Sequence, residues 1–270
     1  MTLIASLFAM TFYLAATLLL GRQLFMAESE GPTVTGKQLF LVLSFFALMG
    51  HVIVLYNNIY ISSGLNLGFF NALSLMTWGI ALFVFLAALK KPLENLAIII
   101  FPVTIVALVL EILFQSSRIL PDTAPNGLRL HVLLSVCAYS LLTIAFLQAI
   151  LLALQDRQIT RKHPASIMRL PPMKIMQDLL IQIIILGFFM LSLSLVTGLM
   201  FLHDIFSQHL VHKTVLSIVA WVFFGILLWG HWTRGWRGKI ITRWTATGFV
   251  LLLLAYFGSK FVLEVLLDRV

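Results

Sequence analysis

Eight long apolar stretches divide this chain, and they restrict the folds that are open to it. A bilayer core is about 30 Å thick, so a helix needs about 20 apolar residues to cross it at a rise of about 1.5 Å per residue. The sequence therefore predicts an all-α polytopic membrane protein, a bundle of about eight transmembrane helices. The predicted spans lie near residues 2–21, 38–61, 68–89, 94–116, 128–154, 179–202, 214–232 and 244–267.

The composition agrees with a membrane protein, because 61% of the residues are hydrophobic, only 10% are charged, and the mean hydropathy is +1.04. Soluble proteins are roughly half apolar and about a quarter charged. The net charge of +8 does not indicate nucleic-acid binding, since Lys and Arg lie in short loops between apolar segments. No loop has room for a soluble domain, so residues 1–270 are predicted to form a single transmembrane domain.

The distribution of Lys and Arg predicts how the chain is oriented. Thirteen of them lie in or beside the odd-numbered loops and three in or beside the even-numbered loops. Cytoplasmic loops carry the excess of Lys and Arg, so both termini are predicted on the outer side. Five of the seven histidines then lie on or near the outer side: His51, His131, His203, His209 and His212.

Motifs of enzymatic chemistry do not appear at diagnostic spacing. The sequence has no HExxH motif, no phosphate-binding glycine loop and no nucleophile–base pair, so we expect no catalytic activity. Cys137 is the single cysteine, and a CxxCH motif for covalent haem attachment is absent. The chain is therefore not expected to be a c-type cytochrome itself.

Four segments resemble one family of membrane proteins. "LRLHVLLSVCAYSLL", residues 128–142, resembles the "HVxxxxxxYAxL" stretch of the cytochrome c assembly (CcsA/CcmC) family, whose members handle haem. Residues 212–239 resemble its "PKETWxxITWxxFxxYLHxRxxxGWxGK" pattern, residues 248–258 its closing span, and residues 66–82 its "SNLYESLxFLSW" segment. The resemblance covers most of residues 50–260 and is strongest to the bacterial inner-membrane YpjD branch, relatives of HemX. It implies a multi-pass protein of the bacterial inner (plasma) membrane.

The resemblance also implies a haem site. In the family, outer-face histidines hold haem at the outer membrane surface and present it for attachment to apocytochrome c. His131 falls on the first of those histidines, so the resemblance implies haem b with His131 as one axial ligand of the iron. A bis-histidine site needs a second neutral imidazole on the opposite face of the macrocycle. The candidates for it are His203, His209, His212 and His51.

Other polar residues complete the predicted haem site. Arg129, Arg118 and Lys213 lie at the predicted outer rim, where they can make charge-assisted contacts to haem propionates. Glu111 is a candidate acceptor for a hydrogen bond from a ligand imidazole, which would orient the ring.

Three of the candidate second ligands also have a simpler interpretation. His51 lies inside a span, where a buried imidazole needs hydrogen-bond partners, and it can be a satisfied core residue instead of a ligand. His209 and His212 can be interfacial residues that contact water or lipid headgroups. If their segment is helical, their i, i+3 spacing puts them on one face, where they could bind zinc or copper; no third ligand stands at a fixed spacing.

Two alternative functions remain open. The segment that carries the tryptophan-rich motif in the family reads "HDIFSQHLVHK" here, residues 203–213. That difference favours a non-catalytic accessory or regulatory subunit of an inner-membrane transport complex, for example one for divalent-cation export. A HemX-like regulator of haem synthesis is the other alternative. The predicted partners are membrane lipids and a membrane protein, either a cytochrome assembly component or a transporter.

Overall fold

The protein is described by a computed structural model that covers residues 2–25, 34–91, 93–114, 118–160, 172–201 and 208–255. The described residues form eight α-helices, and seven of these are long and apolar enough to cross a membrane. This confirms the prediction of an all-α polytopic membrane protein. The helices are α1 (Thr2–Phe25), α2 (Val34–Ile59), α3 (Phe69–Lys90), α4 (Ala97–Leu113), α5 (Asn126–Thr160), α6 (Met173–Phe201), α7 (Gln208–Arg234) and α8 (Lys239–Leu253).

The helix bounds differ from the predicted spans mainly at their ends. Helix α5 has 35 residues and is therefore about 50 Å long, well beyond a bilayer core of about 30 Å. Hydropathy identifies only the part of a helix that lies in lipid, so it does not predict the polar helical turns at the two ends. The eighth predicted span, 244–267, overlaps α8 as far as Leu253, and residues 256–267 lie outside the described part of the chain.

The helices fall into two compact units, and each is described by itself. Helices α1 to α4 belong to the first unit and helices α5 to α8 to the second. The single domain over residues 1–270 stays a prediction, as does the placement of both termini on the outer side.

The first unit is built around buried aromatic side chains from three helices. Helix α1 packs on α2 and α4, while α3 packs on α2 and α4. Tyr13, Phe40 and Phe101 are fully buried. The ring of Phe101 lies 4.9 Å from that of Tyr13 and 5.9 Å from that of Phe40, measured between centroids. Stacked and tilted ring pairs at these distances add to the packing of α1, α2 and α4.

A three-stranded antiparallel sheet, which the sequence did not predict, joins the segment after α2 to the segment after α4. Gly64 has a φ of +135°, and a Cβ there would lie 2.2 Å from the carbonyl oxygen of Leu120, so the strand pairing requires glycine. The Asn66 side-chain oxygen accepts hydrogen bonds from the backbone N–H groups of Gly68 and Arg118. The strands are β1 (Tyr60–Ile61), β2 (Gly64–Asn66) and β3 (Ile119–Pro121), in the order β1-β2-β3.

The second unit is organised around α5, which packs on α6 and α8, while α7 packs on α6 and α8. Its interior is filled by aliphatic and aromatic side chains, and two contacts tie α5 to α8. The Tyr139 hydroxyl donates to the carbonyl oxygen of Leu252 at 3.0 Å, and the rings of Phe146 and Phe249 stack at 4.6 Å. The hydroxyl of Tyr139 is therefore satisfied although the side chain is buried.

A glycine in α6 allows the close approach of α5, and its replacement is expected to destabilise the second unit. A Cβ at Gly187 would lie 2.8 Å from Leu142 Cδ2, closer than packed carbons tolerate. We expect Gly187→Ala to lower the free energy of unfolding by about 1–2 kcal/mol. At Gly225 the same atom would meet Phe188 at an ordinary 3.6 Å, so Gly225→Ala is the matched control. Equal stability of the two variants in a reversible unfolding assay would contradict this prediction.

Candidate functional site

His131 lies in the second turn of α5, and its ring is hydrogen-bonded to the neighbouring helix α6. Its Nδ1 is 2.8 Å from the carbonyl oxygen of Ser194. A carbonyl oxygen can only accept, so Nδ1 carries the hydrogen and donates it. In a neutral imidazole the other nitrogen, Nε2, then carries the lone pair that a metal ion needs. The His131 side chain is partly exposed, so the protein does not fully enclose the ring that carries Nε2.

Close packing of the start of α5 against the end of α6 places His131 and Ser194 opposite each other. Helix α5 starts at Asn126, helix α6 ends at Phe201, and a Cβ at Gly127 would lie 2.3 Å from the Phe201 ring. The absence of a side chain at Gly127 therefore lets the end of α6 cross the first turn of α5. About one turn further along α5, His131 meets the carbonyl group of Ser194.

Two hydroxyl groups hold the same helix pair together beside His131. Ser135 Oγ donates to the carbonyl oxygen of His131 at 2.7 Å, which uses its single hydrogen. The 2.7 Å contact between the hydroxyls of Ser135 and Ser194 then has Ser194 as its donor. Sequence reasoning missed both serines, because the cross-helix contact depends on the register of α5 against α6.

Helix α7 is held against α6 by the side chain of Trp221. The indole N–H of Trp221 donates to Ser192 Oγ at 2.8 Å, and its ring stacks on Phe188 with centroids 5.5 Å apart. Trp221 therefore holds α7 against α6, the helix that carries the acceptor of the His131 hydrogen bond.

The other predicted residues near the start of α7 are described only in part. His203 lies outside the described residues, and His209 and His212 belong to α7, although their side chains are outside the described part. Lys213 in α7 and Arg129 in α5 are partly exposed residues of the second unit. The structure thus keeps His131, Arg129 and Lys213 within one unit, and the identity of a second iron ligand stays a prediction.

His51 belongs to the first unit and is fully buried there. Hydrogen bonds join its Nδ1 to the Tyr13 hydroxyl at 3.4 Å and its Nε2 to the Ser74 hydroxyl at 3.0 Å. Both ring nitrogens therefore have partners inside the protein, as expected of a core histidine. To act as an iron ligand, its other predicted role, His51 would have to give up the hydrogen bond at Nε2 or at Nδ1.

Glu111 is also a buried residue of the first unit. Its Oε1 accepts a hydrogen bond of 2.8 Å from the side-chain amide of Asn58, and the carbonyl oxygen of Asn58 lies 3.4 Å from the amide of Asn71. Glu111 also accepts a hydrogen bond from the Ser74 side chain, so its donors lie in α2 and α3 of its own unit. Arg118, predicted at the rim, is exposed.

A zinc or copper site finds no support among the described side chains. In that part of the chain, no three His, Cys, Asp or Glu residues come together in a group that could hold a metal ion. The alternative that used His209 and His212 falls on side chains outside the described residues.

Comparison with known proteins gives a consistent result. The model of the family described as cytochrome C assembly protein matches residues 39–267. Inner membrane protein YpjD of Escherichia coli (strain K12) is 33% identical over 232 residues, which cover 85% of this chain and 88% of the relative. Cytochrome c biogenesis protein CcsA of Prochlorococcus marinus (strain MIT 9515) is 22% identical over 221 residues, 72% of this chain and 71% of the relative. No solved structure matches the chain significantly.

These findings, together with the seven helices long enough to span a bilayer, show a multi-pass protein of the bacterial inner membrane. The match to the family covers far more than half of the chain. The chain belongs to the cytochrome C assembly protein family, and this membership supports a role related to haem or cytochrome biogenesis.

Proposed function

We propose that this protein binds haem b at the outer side of the inner membrane, with His131 as one axial ligand, and handles the haem without catalysing a reaction. The observation that carries the proposal is the 2.8 Å hydrogen bond from His131 Nδ1 to the carbonyl oxygen of Ser194. Family membership and the relatives named as cytochrome c biogenesis proteins support a haem-related role in general.

The donor chemistry of His131 fits haem iron. Iron takes a neutral imidazole nitrogen, and metal-ligating histidines almost always donate their other N–H to a carboxylate or a carbonyl group. His131 has this arrangement, because its Nδ1–H is committed to Ser194. The bond sets the tautomer, orients the ring and raises the basicity of Nε2. When bound, the haem supplies an iron centre whose ligation and potential the protein adjusts.

The second ligand is expected from the segment between α6 and α7 or from the first turns of α7. Helix α6 ends at Phe201, and the ring of Phe201 packs on Gly127 in the first turn of α5, about one turn before His131. His203, His209 and His212 all belong to this part of the sequence. They are better candidates than His51, since both nitrogens of His51 already have hydrogen-bond partners.

Cationic residues of the same unit suit the two propionate groups of a haem. Arg129 precedes His131 by two residues in α5, and Lys213 lies in the second turn of α7. Both are partly exposed, so their charged ends can meet a carboxylate near the membrane surface.

The visible absorption spectrum of the gently solubilised protein tests this proposal. We expect a Soret band and the split visible bands of a six-coordinate haem, either as purified or after titration with hemin. Protein that is folded yet neither carries nor takes up haem would overturn the proposal. If such haem-free protein co-purified with a stoichiometric amount of a transporter, the accessory-subunit alternative would replace the proposal. If it co-purified with a haem-biosynthetic enzyme instead, the alternative of a HemX-like regulator would be favoured.

A further inference from the structure

The turn between α7 and α8 forms a hydrogen-bonded, basic corner at one end of the second unit. We define this corner as residues 229–243. The backbone N–H of Trp236 donates to the carbonyl oxygen of Gly230 at 3.3 Å, and Nδ1 of His231 donates to the carbonyl oxygen of Trp236 at 3.0 Å. Gly235 and Gly238 have φ values of +64° and +55°, which glycine adopts without strain. The turn is thus held by hydrogen bonds at both ends.

The ring of Trp236 folds inward and completes this turn. A Cβ at Gly230 would lie 2.5 Å from that ring, so the tryptophan occupies the space that a side chain at Gly230 would need. Its other side faces the ring of Trp244, with centroids 5.3 Å apart. Because the corner is already ordered, a ligand that binds there loses little additional entropy in ordering it.

Cationic side chains surround the corner, and they are exposed. They are Arg234, Arg237, Lys239 and Arg243. Residues 208–255 contain no Asp or Glu. Among the described residues, Lys239 Nζ lies 3.7 Å from Asp156 Oδ2, an ion pair between partly or largely exposed side chains. An exposed pair of this kind is weak, so it leaves the corner strongly positive.

Exposed tryptophans on the same helix end indicate what the positive charge faces. Trp229 is 55% exposed and Trp232 is 65% exposed, and Arg234 Cζ lies 5.5 Å from the centre of the Trp229 ring. Tryptophan at the end of a transmembrane helix prefers the depth of the lipid headgroups. Cations beside it then lie at the depth of the lipid phosphates, whereas the apolar residues of α7 and α8 lie alongside the acyl chains.

We propose that this corner is a binding site for the headgroup of an anionic phospholipid. Arg234, Arg237, Lys239 and Arg243 contact the phosphate, and the exposed rings of Trp229 and Trp232 pack against the glycerol and upper acyl region. A nucleic acid or an acidic protein would use the same charges, but neither would favour two indole rings at the end of a membrane span.

Native mass spectrometry of the full-length protein after exchange into mixed phosphatidylglycerol and phosphatidylcholine tests this site. We expect selective retention of phosphatidylglycerol. The double variant Arg234→Gln/Arg237→Gln should bind it about tenfold more weakly or worse, since each cation near an anionic surface contributes roughly 1 kcal/mol. The matched control, Lys90→Gln/Lys91→Gln, removes the same charge at the end of α3 and should change binding less than twofold.

Two further measurements keep the proposal falsifiable. Trp229→Ala should also weaken lipid retention, while inorganic phosphate added to the wild-type protein should not displace the lipid. Equal losses in both double variants would mean that general surface charge is responsible, and displacement by inorganic phosphate would mean that the phosphate alone is recognised. Either result, or retention of phosphatidylcholine as strong as that of phosphatidylglycerol, would overturn the proposal. Unchanged helical circular dichroism shows that a variant is folded.

Discussion

Replacement of His131 by alanine is expected to abolish the six-coordinate haem spectrum. The variant removes Nε2, the nitrogen that we propose as the iron ligand, together with the hydrogen bond from Nδ1 to Ser194. Loss of a partner behind a metal ligand already lowers metal affinity about 10–100-fold, so loss of the ligand itself should exceed about 100-fold. The measurement is a hemin titration followed by Soret absorbance, with circular dichroism to show that the helices remain.

Two controls separate ligation from a general disturbance of α5. Ser135→Ala removes the hydrogen bond between α5 and α6 one turn away but leaves the imidazole in place, and it should retain the six-coordinate spectrum with less than about a tenfold loss of affinity. In His131→Gly, free imidazole should restore the split visible bands. A wild-type spectrum in His131→Ala, or no response of the glycine variant to imidazole, would show that His131 does not bind the iron.

The second large effect is expected at His51, where we predict a loss of stability. His51→Ala leaves a cavity among fully buried side chains and removes the partner of the Tyr13 hydroxyl and one partner of the Ser74 hydroxyl. The buried cavity and the lost hydrogen bonds together should lower the free energy of unfolding by about 2–4 kcal/mol. A steric-trapping or detergent-denaturation assay measures this difference.

Ile53→Ala is the matched control, because Ile53 lies on the same helix and is 50% exposed. It should change the stability by less than about 1 kcal/mol. The folded fraction of His51→Ala should still bind haem with the six-coordinate spectrum. If His51→Ala were as stable as the control and lost one axial ligand, His51 would be the second iron ligand and not a core residue.

The helices were predictable because each depends on a local property of the chain. A run of about 20 apolar residues is unstable in water, and in lipid its backbone N–H and C=O groups must hydrogen-bond to each other within a helix. Length and hydropathy are therefore enough to predict such a helix. The third span, predicted at 68–89, is observed as Phe69–Lys90. The errors are larger where helices continue past the bilayer, as at the end of α5, because polar helical turns have no hydropathy signal.

The small sheet was not predicted, since neither of its loops shows a strand pattern by itself. β2 pairs with β3 across more than fifty residues of sequence, and the pairing depends on Gly64 approaching the carbonyl oxygen of Leu120. Asn66 accepts hydrogen bonds from the backbone N–H groups of Gly68 and Arg118. The sequence does not indicate this role, because Arg118 is 52 residues away and comes near only in the folded chain.

The amino-acid sequence by itself determined that this chain crosses the membrane several times, which family it belongs to and that His131 is a candidate ligand, because span length and short motifs are local properties. The tertiary structure alone decided which hydrogen-bond partners the imidazoles of His131 and His51 have. Ser194 is 63 residues from His131 in sequence, and it becomes the hydrogen-bond acceptor only when α6 packs on α5. In the same way, the partners of His51 come from α1 and α3. The state of a histidine depends on the atoms opposite each ring nitrogen, and packing between helices selects those atoms.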